Sequence, residues 1–343
     1  MAYTTINKST DYFNTKIYNG TGSSNALTGV GFQPDLVSIK IKSTSGDGNV
    51  YNSLTGPLKH LSTNLTTAEY TESAGAGLTA FGADGFTVGT EPVGPGSVND
   101  GSHSYAAWCW KGNGGTGATN TEGSIDSTVS ANTTSGFSIC TFTMPASGSF
   151  TFGHGLGVAP KMVILRGLNT ANWQVYHEGM GNTNMMQLNY NNAQSSAANW
   201  WNSTSPTSTV VSVGSDFLEP SQASVAYCFA DKTGYSKCGT YVGNVSADGT
   251  FVYTGFKPSF LMVKMKNGSS HWSMFDNKRL GYNTSNRVLY ANETAAQETL
   301  DIDLLSNGFK PRTSDDKVND GDYIYLAIGQ TLVGTNDIPS TAT

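Results

Sequence analysis

Three of the Gly-x-x-Pro sequences in this chain of 343 residues, at 31–34, 157–160 and 255–258, lie in similar surroundings. Each copy follows an aromatic residue and precedes a run in which apolar residues alternate with polar or basic ones. The copies lie about 100 residues apart, which is a common domain size and much longer than the period of a solenoid repeat. The spacing predicts a tandem array of three similar domains.

Several further positions recur in the same order in all three copies, so the match is more than a shared tetrapeptide. The recurring elements are an aromatic opener (Phe13, Phe137, Tyr235), a run ending in a basic residue (Lys40, Arg166, Lys264), a triplet ending in a polar residue (Asn52, His177, Asp276) and an Asn-x-x-x-Ala-Glu/Gln element (64–69, 189–194, 292–297).

The apolar pattern indicates strands throughout. Apolar residues alternate or form runs of three to five bounded by Gly, Pro, Asn and Asp, and helical periodicity is nearly absent. We expect an all-β protein of three antiparallel β-sandwich, jelly-roll-like repeats. The sequence Val-Asn-Asp-Gly at 98–101 and again at 318–321 predicts a hairpin turn. The Asn of the Asn-x-x-x-Ala-Glu/Gln element could cap one helical turn.

We place the repeats at 1–111, 137–231 and 235–330. Residues 112–136 are rich in Gly, Ser, Thr and Asn and predict a flexible or extended linker, and residues 331–343 predict a flexible tail. Only residues 232–234 separate the second and third repeats, so these two should pack with a fixed geometry. A Gly-x-Gly-x-x-Gly pattern at 112–117 matches a dinucleotide fingerprint, but no helix pattern follows it, and the linker interpretation is favoured.

The composition argues against several classes of partner. Charged residues are 13% of the chain, the net charge is −6, and no Lys/Arg run is present, so nucleic-acid binding is not expected. No apolar run reaches the length of a membrane span, and residues 1–6 lack the features of a signal peptide, so neither membrane insertion nor export is expected.

The four cysteines fit a reducing compartment. Cys109 and Cys228 hold the same position in the closing strands of the first two repeats, where the third has Ala327, and Cys140 and Cys238 are aligned in the opening strands. Such residues look like small apolar core side chains. A Cys140–Cys228 disulfide is the less favoured alternative.

No motif for catalysis is present. The chain has no Gly-x-Ser-x-Gly elbow and no paired His or Cys spacing for a transition metal. Paired carboxylates of a glycoside hydrolase could come from any two strands, but no acid recurs at one position of the triplet. We therefore expect a protein that is not an enzyme.

Two loops are candidate sites. Trp200 and Trp201, flanked by Asn199 and Asn202 in a Ser/Thr-rich insertion, are candidates for stacking on a sugar, although packing in an oligomer would explain them equally well. Trp173 and Trp272 are repeat-equivalent and are interpreted as core. The second candidate loop gathers carboxylates that could bind calcium, against the simpler interpretation of a solvated hairpin tip: Asp315, Asp316, Asp320 and Asp322.

The whole pattern resembles virion structural proteins of tailed phages, particularly marine ones, that are described as tail-fibre-like and are built from a tandem β repeat domain of unassigned function. The segments that carry the resemblance are 1–13, 29–35, 129–137, 154–161, 173–177 and 253–258. The resemblance covers nearly the whole chain and supplies no catalytic residues. The chain departs from long fibres in having no coiled-coil or collagen-like shaft.

The resemblance implies a virion protein, made in the cytoplasm of a host bacterium, whose partners are other virion proteins. We expect a homo-oligomer that is tail-fibre-like or a head-surface appendage and that contributes to attachment to a host-surface glycan. A capsid decoration protein without a ligand is the alternative, and a tail enzyme that degrades polysaccharide is a third. No cofactor is expected other than calcium.

Overall fold

A computed structural model of the chain describes residues 4–90, 96–217, 220–279 and 286–330. The 28 strands it contains form antiparallel sheets, and the described residues hold no α-helix, only three 3-10 turns of three residues at Ser9–Asp11, Glu178–Met180 and Ser215–Phe217. The predicted all-β fold of three antiparallel sandwiches is confirmed. The predicted tail at 331–343 lies outside the described residues.

Unit 1 pairs a six-stranded sheet with a three-stranded one. In spatial order the large sheet contains β1 (Phe13–Asn19), β9 (Ser104–Trp110), β3 (Leu36–Ile41), β4 (Gly48–Asn52), β5 (Lys59–Ser62) and β6 (Tyr70–Thr71). The small sheet contains β2 (Asn25–Thr28), β8 (Gly85–Val88) and β7 (Leu78–Gly82).

Unit 2 repeats this plan with a larger sheet of eight strands. In spatial order they are β10 (Ala118–Asn120), β11 (Ser127–Asn132), β12 (Phe137–Thr143), β19 (Ala223–Phe229), β14 (Met162–Gly167), β15 (Gln174–His177), β16 (Asn184–Gln187) and β17 (Ser195–Ser196). Its small sheet contains β13 (Phe150–Gly153) and β18 (Val210–Val213).

Unit 3 returns to the six-plus-three arrangement of unit 1. Its large sheet contains β20 (Ser236–Val242), β28 (Asp322–Gly329), β22 (Pro258–Met265), β23 (Ser273–Asp276), β24 (Arg287–Tyr290) and β25 (Glu298–Thr299). Its small sheet contains β21 (Val252–Tyr253), β27 (Gly308–Pro311) and β26 (Ile302–Leu305).

The segment 112–136 is not a free linker. Strands β10 and β11 lie within it, and β11 pairs with β12 from Thr128 opposite Thr141 to Asn132 opposite Phe137. The Ser, Thr and Asn content that predicts flexibility is also compatible with strands whose side chains reach solvent, and here β11 forms its backbone hydrogen bonds with β10 and β12. Strands β10 and β11 are the outer edge of the large sheet of unit 2.

The three large sheets share one central hydrophobic core. Each sheet turns one face toward the other two, and buried residues from all three units form a single cluster there. Alternate residues of a strand face opposite sides, so the other face of each large sheet packs against the small sheet of its own unit. The central core contains many aromatic residues, among them Trp108, Trp173, Tyr227, Phe260 and Trp272. The interpretation of Trp173 and Trp272 as core residues is confirmed.

The closing strands bear out the cysteine alignment. Cys109 pairs with Val37, Cys228 with Val163, and Ala327 with Leu261, so all three occupy one position of the repeat. All three side chains face the outer core of their own unit. The four cysteines are buried free thiols, and burial raises the pKa of Cys109 and of Cys228.

The alignment of Cys140 with Cys238 is wrong by one residue. Cys238 pairs with Leu326, which is the position that Ile139 takes opposite Tyr227 in unit 2. Cys238 therefore points into the central core, whereas Cys140 points into the outer core of unit 2. A shift of one residue in a strand moves a side chain to the other face of the sheet, so a small alignment error changes its surroundings completely.

Two further predictions of local structure are wrong. Residues 98–101 and 318–321 are not hairpin turns, because they connect strands of different sheets, β8 to β9 and β27 to β28. Asn99 and Asn319 are fully buried there, and their side chains donate hydrogen bonds to neighbouring loops. The Asn-x-x-x-Ala-Glu/Gln elements form no helical turn, because each Asn lies in a turn and the five residues after it have no regular secondary structure. In the described parts of the chain, no helix has the length and hydrophobicity needed to cross a membrane.

Candidate functional site

The polar residues that end the three triplets lie between units. We call each contact between two units a joint. Each of these side chains is buried and forms a hydrogen bond across a joint, so the three joints close the units into a ring. The bonds are Asn52 Nδ2 to Tyr227 Oη (3.4 Å), His177 Nε2 to the Tyr325 carbonyl (3.1 Å) and Trp108 Nε1 to Asp276 Oδ2 (3.1 Å).

The same three side chains also cap the turn that follows their own strand. Asn52 Oδ1 and Asp276 Oδ1 each accept two backbone N–H groups, and His177 Nδ1 accepts the N–H of Gly179 at 3.0 Å. Asp276 is in addition paired with the buried Arg279, whose Nε lies 2.6 Å from Oδ2. Because each side chain meets a different partner across its joint, the residue type differs between repeats while the structural role is the same.

His177 is neutral in this arrangement. Its Nδ1 accepts a hydrogen bond and its Nε2 donates one to a carbonyl oxygen, which fixes the tautomer with the proton on Nε2. Burial lowers the pKa of His177 to about 4. Protonation of Nδ1 would break the bond to Gly179 and place a charge in the joint between units 2 and 3.

The basic residues near the ends of strands β3, β14 and β22 are also buried at the joints. Lys40, Arg166 and Lys264 are at most 1% exposed, and each donates to backbone carbonyls of the neighbouring unit. The carbonyls belong in each case to the Asn-x-x-x-Ala-Glu/Gln element: Lys40 with Glu293, Arg166 with Leu65 (2.7 Å) and Thr67, and Lys264 with Asn191 (3.3 Å).

Neutral carbonyl partners leave these cations poorly compensated. Burial lowers the pKa of Lys40 and of Lys264 to about 8, and that of Arg166 to about 10. The guanidinium of Arg166 gains a cation–π contact with Trp173, at 5.1 Å from the ring centroid. Their buried position and their bonds to the neighbouring unit indicate that these groups hold the units together.

The Asn-x-x-x-Ala-Glu/Gln elements are the receiving half of each joint. Backbone bonds run from Glu69 N to Leu168 O, from Gln194 N to Lys266 O and from Gln297 N to Lys42 O, each across a joint. The side chain of the Asn that opens each element accepts a backbone N–H at the start of β4, β15 or β23. Asn64 accepts from Gly48, Asn189 from Trp173 and Asn292 from Trp272. The repeated sequence element is thus an edge that docks on the next unit.

The glycine-rich segment that follows unit 1 surrounds a carboxylate of the protein itself. The backbone N–H groups of Gly112, Gly114 and Gly115 all donate to the carboxylate of Asp35, at 2.6–3.0 Å. Asp35 is fully buried and also accepts from Ser130 Oγ of β11. Successive backbone N–H groups make a concave anion site, and here an internal carboxylate fills it. This supports the structural interpretation of the Gly-x-Gly-x-x-Gly pattern over a dinucleotide site.

The candidate sugar-stacking loop is only partly available. Trp201 is 1% exposed and packs in the outer core of unit 2, edge-on to Tyr176 with ring centroids 5.7 Å apart. Its ring has no free face for a sugar, so this part of the prediction is wrong. Trp200 is half-buried against the same core, and Asn199 and Asn202 are exposed. For these three residues, sugar binding stays a prediction.

The acidic loop does not assemble a calcium site. Within the described chain no three His, Cys, Asp or Glu side chains are placed to hold a metal ion. The carboxylate of Asp315 is turned toward Lys317, whose Nζ lies 3.2 Å away, and the N–H of Asp320 donates to the Tyr323 hydroxyl. Asp316 and Asp322 bring no third carboxylate to a common centre. The loop fits the solvated interpretation better than the calcium one.

A groove of about 530 Å³ lies where unit 1 meets the extended sheet of unit 2. Its floor carries Thr119, Thr128 and Thr141, which face one another across β10, β11 and β12. Leu54 of unit 1 and Leu168 of unit 2 line its sides. The volume falls in the usual range of ligand pockets, and the combination of hydroxyls with apolar walls suits an uncharged polar ligand.

The groove could not be predicted from the sequence because two of the three strands that form its floor, β10 and β11, lie in the predicted linker. The alternation of Ser127, Val129 and Ala131 with polar neighbours is a weak strand signal that could have identified β11.

A second, closed cavity of about 60 Å³ lies in the central core and is lined almost entirely by apolar atoms of all three units.

Comparison with known proteins gives one match. The model of a family described as a domain of unknown function (DUF7483) matches residues 8–331, and thus covers all three units and both connections. No curated protein and no solved structure matches the chain significantly.

Proposed function

The chain belongs to the DUF7483 family, and for this member we propose the role of a non-enzymatic phage virion structural protein. In this proposal it is tail-fibre-like or a head-surface appendage, exposed on the particle, and contributes to attachment to host-surface glycans. It is made in the cytoplasm of the host bacterium, and its partners are other virion proteins.

The closed ring of three units is the observation that carries the proposal. The polar and charged residues that recur in the repeats are buried in the joints, with Arg166 and His177 as the clearest cases. Recurring polar residues that hold the units together make the chain suitable as a rigid building block of a particle. Because these residues serve the contacts between units, the variable loops are left to contact other molecules. The resemblance of the sequence to tail-fibre-like proteins supports the same role.

The groove between units 1 and 2 supports the glycan part of the proposal. Threonine hydroxyls can both donate to and accept from sugar hydroxyls, and Leu54 and Leu168 offer apolar contacts to the faces of a pyranose ring. Asp126 is the one acid among the described residues that line the groove. Glycoside hydrolysis generally uses two carboxyl groups, so a groove with one supports binding over cleavage.

Localisation on purified phage particles tests the proposal. Antibody labelling or cryo-electron microscopy should place the protein on the particle, at the tail or the head surface. Absence from purified particles would overturn the virion role. The glycan part is tested separately, by applying the recombinant protein to host cells and to an array of host polysaccharides. The triple variant Thr119→Val, Thr128→Val, Thr141→Val should lose binding if the groove is the site, and Asn199→Ala is the matched control in the other candidate loop.

A decoration protein on the capsid is the second candidate. The approximate threefold repetition of the ring favours it, because such a block can sit on a threefold position of a shell with equivalent contacts to three neighbours. Density at threefold positions of the capsid, together with particles that disrupt at lower temperature without the protein, would favour this role over attachment.

A further inference from the structure

Unit 3 exposes four apolar side chains between the end of β20 and β21, where Thr250 Oγ1 donates to Val242 O at 2.7 Å. Val242 is 62% exposed, Val245 59%, Phe251 45% and Tyr253 57%. They lie at the end of β20, in the following loop and on β21, the edge strand of the small sheet. We call these four residues the side patch. Clustered exposed apolar residues of this kind mark interaction surfaces more often than isolated ones do.

The fold does not require the side patch. Strand register identifies the same four positions in unit 1. In the large sheets, Val242 lies opposite Asp322 as Asn19 lies opposite Ser104. In the small sheets, Val252 pairs with Phe309 as Leu27 pairs with Phe86. The equivalent residues in unit 1 are all small or polar: Asn19 for Val242, Gly22 for Val245, Ala26 for Phe251 and Thr28 for Tyr253. The same surface is therefore built polar in unit 1 and apolar in unit 3.

Val245 also carries backbone strain. Its φ is +56°, and Gly22 at the equivalent position has φ +69°. The N–H of Val245 donates to Asn319 O just as that of Gly22 donates to Asn99 O, so the loop geometry is shared. A β-branched residue is disfavoured in this conformation, and such strain concentrates at functional sites. An exposed valine that would be more stable as glycine is consistent with a role for its side chain in binding.

In unit 2 the same side is covered by the chain itself. Residues 124–127 run beside β13, with a bridge between Ile125 and Phe152. The N–H of Ile125 donates to Thr151 O at 3.2 Å, and Ser124 exchanges two bonds with Thr151 at 2.8 Å. Thr151 is the unit 2 equivalent of Phe251, because Phe152 pairs with Val211 as Val252 pairs with Phe309. This side of the sandwich therefore accepts an extended segment.

We propose that the side patch binds an extended segment of a partner protein, laid along β21 as residues 124–127 lie along β13. The segment would be largely uncharged and would place apolar side chains against Phe251 and Tyr253. The acid beside the patch, Asp248, already pairs with Lys310 and Arg312, so a basic segment would gain little there. Lys237 Nζ donates to the neutral carbonyl of Tyr253 at 3.0 Å, which occupies the ammonium group without neutralising its charge.

Two contacts fix where the segment would lie and from which molecule it comes. Part of the edge of β20 is already bonded, because the N–H of Cys238 donates to Asp231 Oδ1 at 2.7 Å. The segment thus adds to the small sheet. The matching segment of this chain is already bound to β13, so a second copy could supply it only by releasing unit 2. A different protein is therefore the expected source, and this reasoning does not depend on the proposed virion role.

A displayed library of nine-residue random peptides tests the inference on the full-length protein. We expect enrichment of uncharged peptides with an apolar residue near the centre. The variant Val242→Asn, Val245→Gly, Phe251→Ala, Tyr253→Thr, which copies unit 1, should bind the selected peptides at least tenfold more weakly and still melt as a folded protein. Tyr190→Thr is the control, since Tyr190 is a 43% exposed tyrosine outside the patch.

Three outcomes would overturn the inference. One is no enrichment, or peptides whose binding the unit 1-like variant does not change. Another is a dimer in analytical ultracentrifugation that the variant dissociates, which would make a second copy the occupant. The last is increased hydrogen exchange at 251–253 after removal of residues 331–343, which would make the chain's own terminus the occupant.

Discussion

The central core and the three outer cores use similar residues but serve different parts of the molecule. The central core takes side chains from all three units, and polar groups such as Arg166 and His177 surround it at the joints. Each outer core lies between the two sheets of a single unit and is closed by its own loops. A sandwich that had only its outer core would leave the inner face of its large sheet exposed to water, so no unit is complete without its neighbours.

This difference teaches where cooperativity resides. Damage to an outer core weakens one sandwich, whereas damage to the central core removes contacts that three sandwiches share. The recurring polar residues make the second kind of damage more costly, because a broken joint leaves buried donors or acceptors without partners.

The largest effect is expected from Trp108→Ala in the central core. Truncation of a fully buried tryptophan costs about 3–5 kcal/mol, and the carboxylate of Asp276 loses a hydrogen bond in addition. Calorimetry should show one transition for the whole chain, moved to lower temperature. Phe309→Ala in the outer core of unit 3 is the comparison and should destabilise unit 3 first, so that the transition broadens or splits. The reverse pattern in the two variants would break the distinction between the cores.

Arg166→Met tests a joint without changing either core. The substitution keeps most of the apolar contact but leaves the carbonyls of Leu65 and Thr67 without their donor, at a cost of about 3 kcal/mol in the free energy of unfolding. Urea titration measures it, and Arg166→Lys should recover part of the loss. The surface pair of Lys310 with Asp248 is the control: Lys310→Met should cost clearly less than Arg166→Met.

Acid should weaken the joint between units 2 and 3 through His177. Its pKa is about 4 in the folded chain against about 6.5 in the unfolded chain, so the unfolded state binds more protons between these values. Stability therefore falls as the pH drops from about 6.5 to 4, by at most about 3 kcal/mol from this residue. His177→Gln should flatten the pH dependence of urea unfolding by that amount. An NMR titration giving His177 a pKa near 6.5 would contradict the prediction.

The smallest effect concerns a surface loop that touches neither kind of core. Val245→Gly should stabilise the chain by about 1 kcal/mol, because glycine adopts the left-handed conformation without steric cost. The reciprocal change Gly22→Val should destabilise it by a similar amount. Thermal melting of both variants measures the strain, and equal stability of Val245→Gly and the parent chain would show that the loop carries none.

Much of the fold follows from the sequence because the repeat can be compared with itself. Equivalent positions identify the strands and place Trp173, Trp272 and Cys228 in cores. Self-comparison fails where a unit has an insertion without an equivalent, and for that reason the sequence pattern places the buried Trp201 at the surface. It fails again where one pattern has two physical meanings: the glycines at 112–117 look like a phosphate loop but surround Asp35.

The short connection 232–234 predicts that units 2 and 3 pack together, but the residues that form the joints could not be predicted, since they depend on which units become neighbours in space. Lys40, Arg166 and Lys264 form a recurring basic position in the sequence, and a basic residue near the end of a strand is usually exposed. Only the ring arrangement brings a neighbour's carbonyl oxygens within reach and makes burial tolerable.

The closed ring has a consequence for the order of the units along the sequence. All three joints are noncovalent and of one kind, and only two of them are also bridged by a connecting peptide. The joint between units 3 and 1 forms without a connecting peptide. Any two of the three joints could therefore carry the peptides that connect the units. Opening the chain at residues 232–234 and joining units 3 and 1 by a new peptide should give a circularly permuted protein with the same ring.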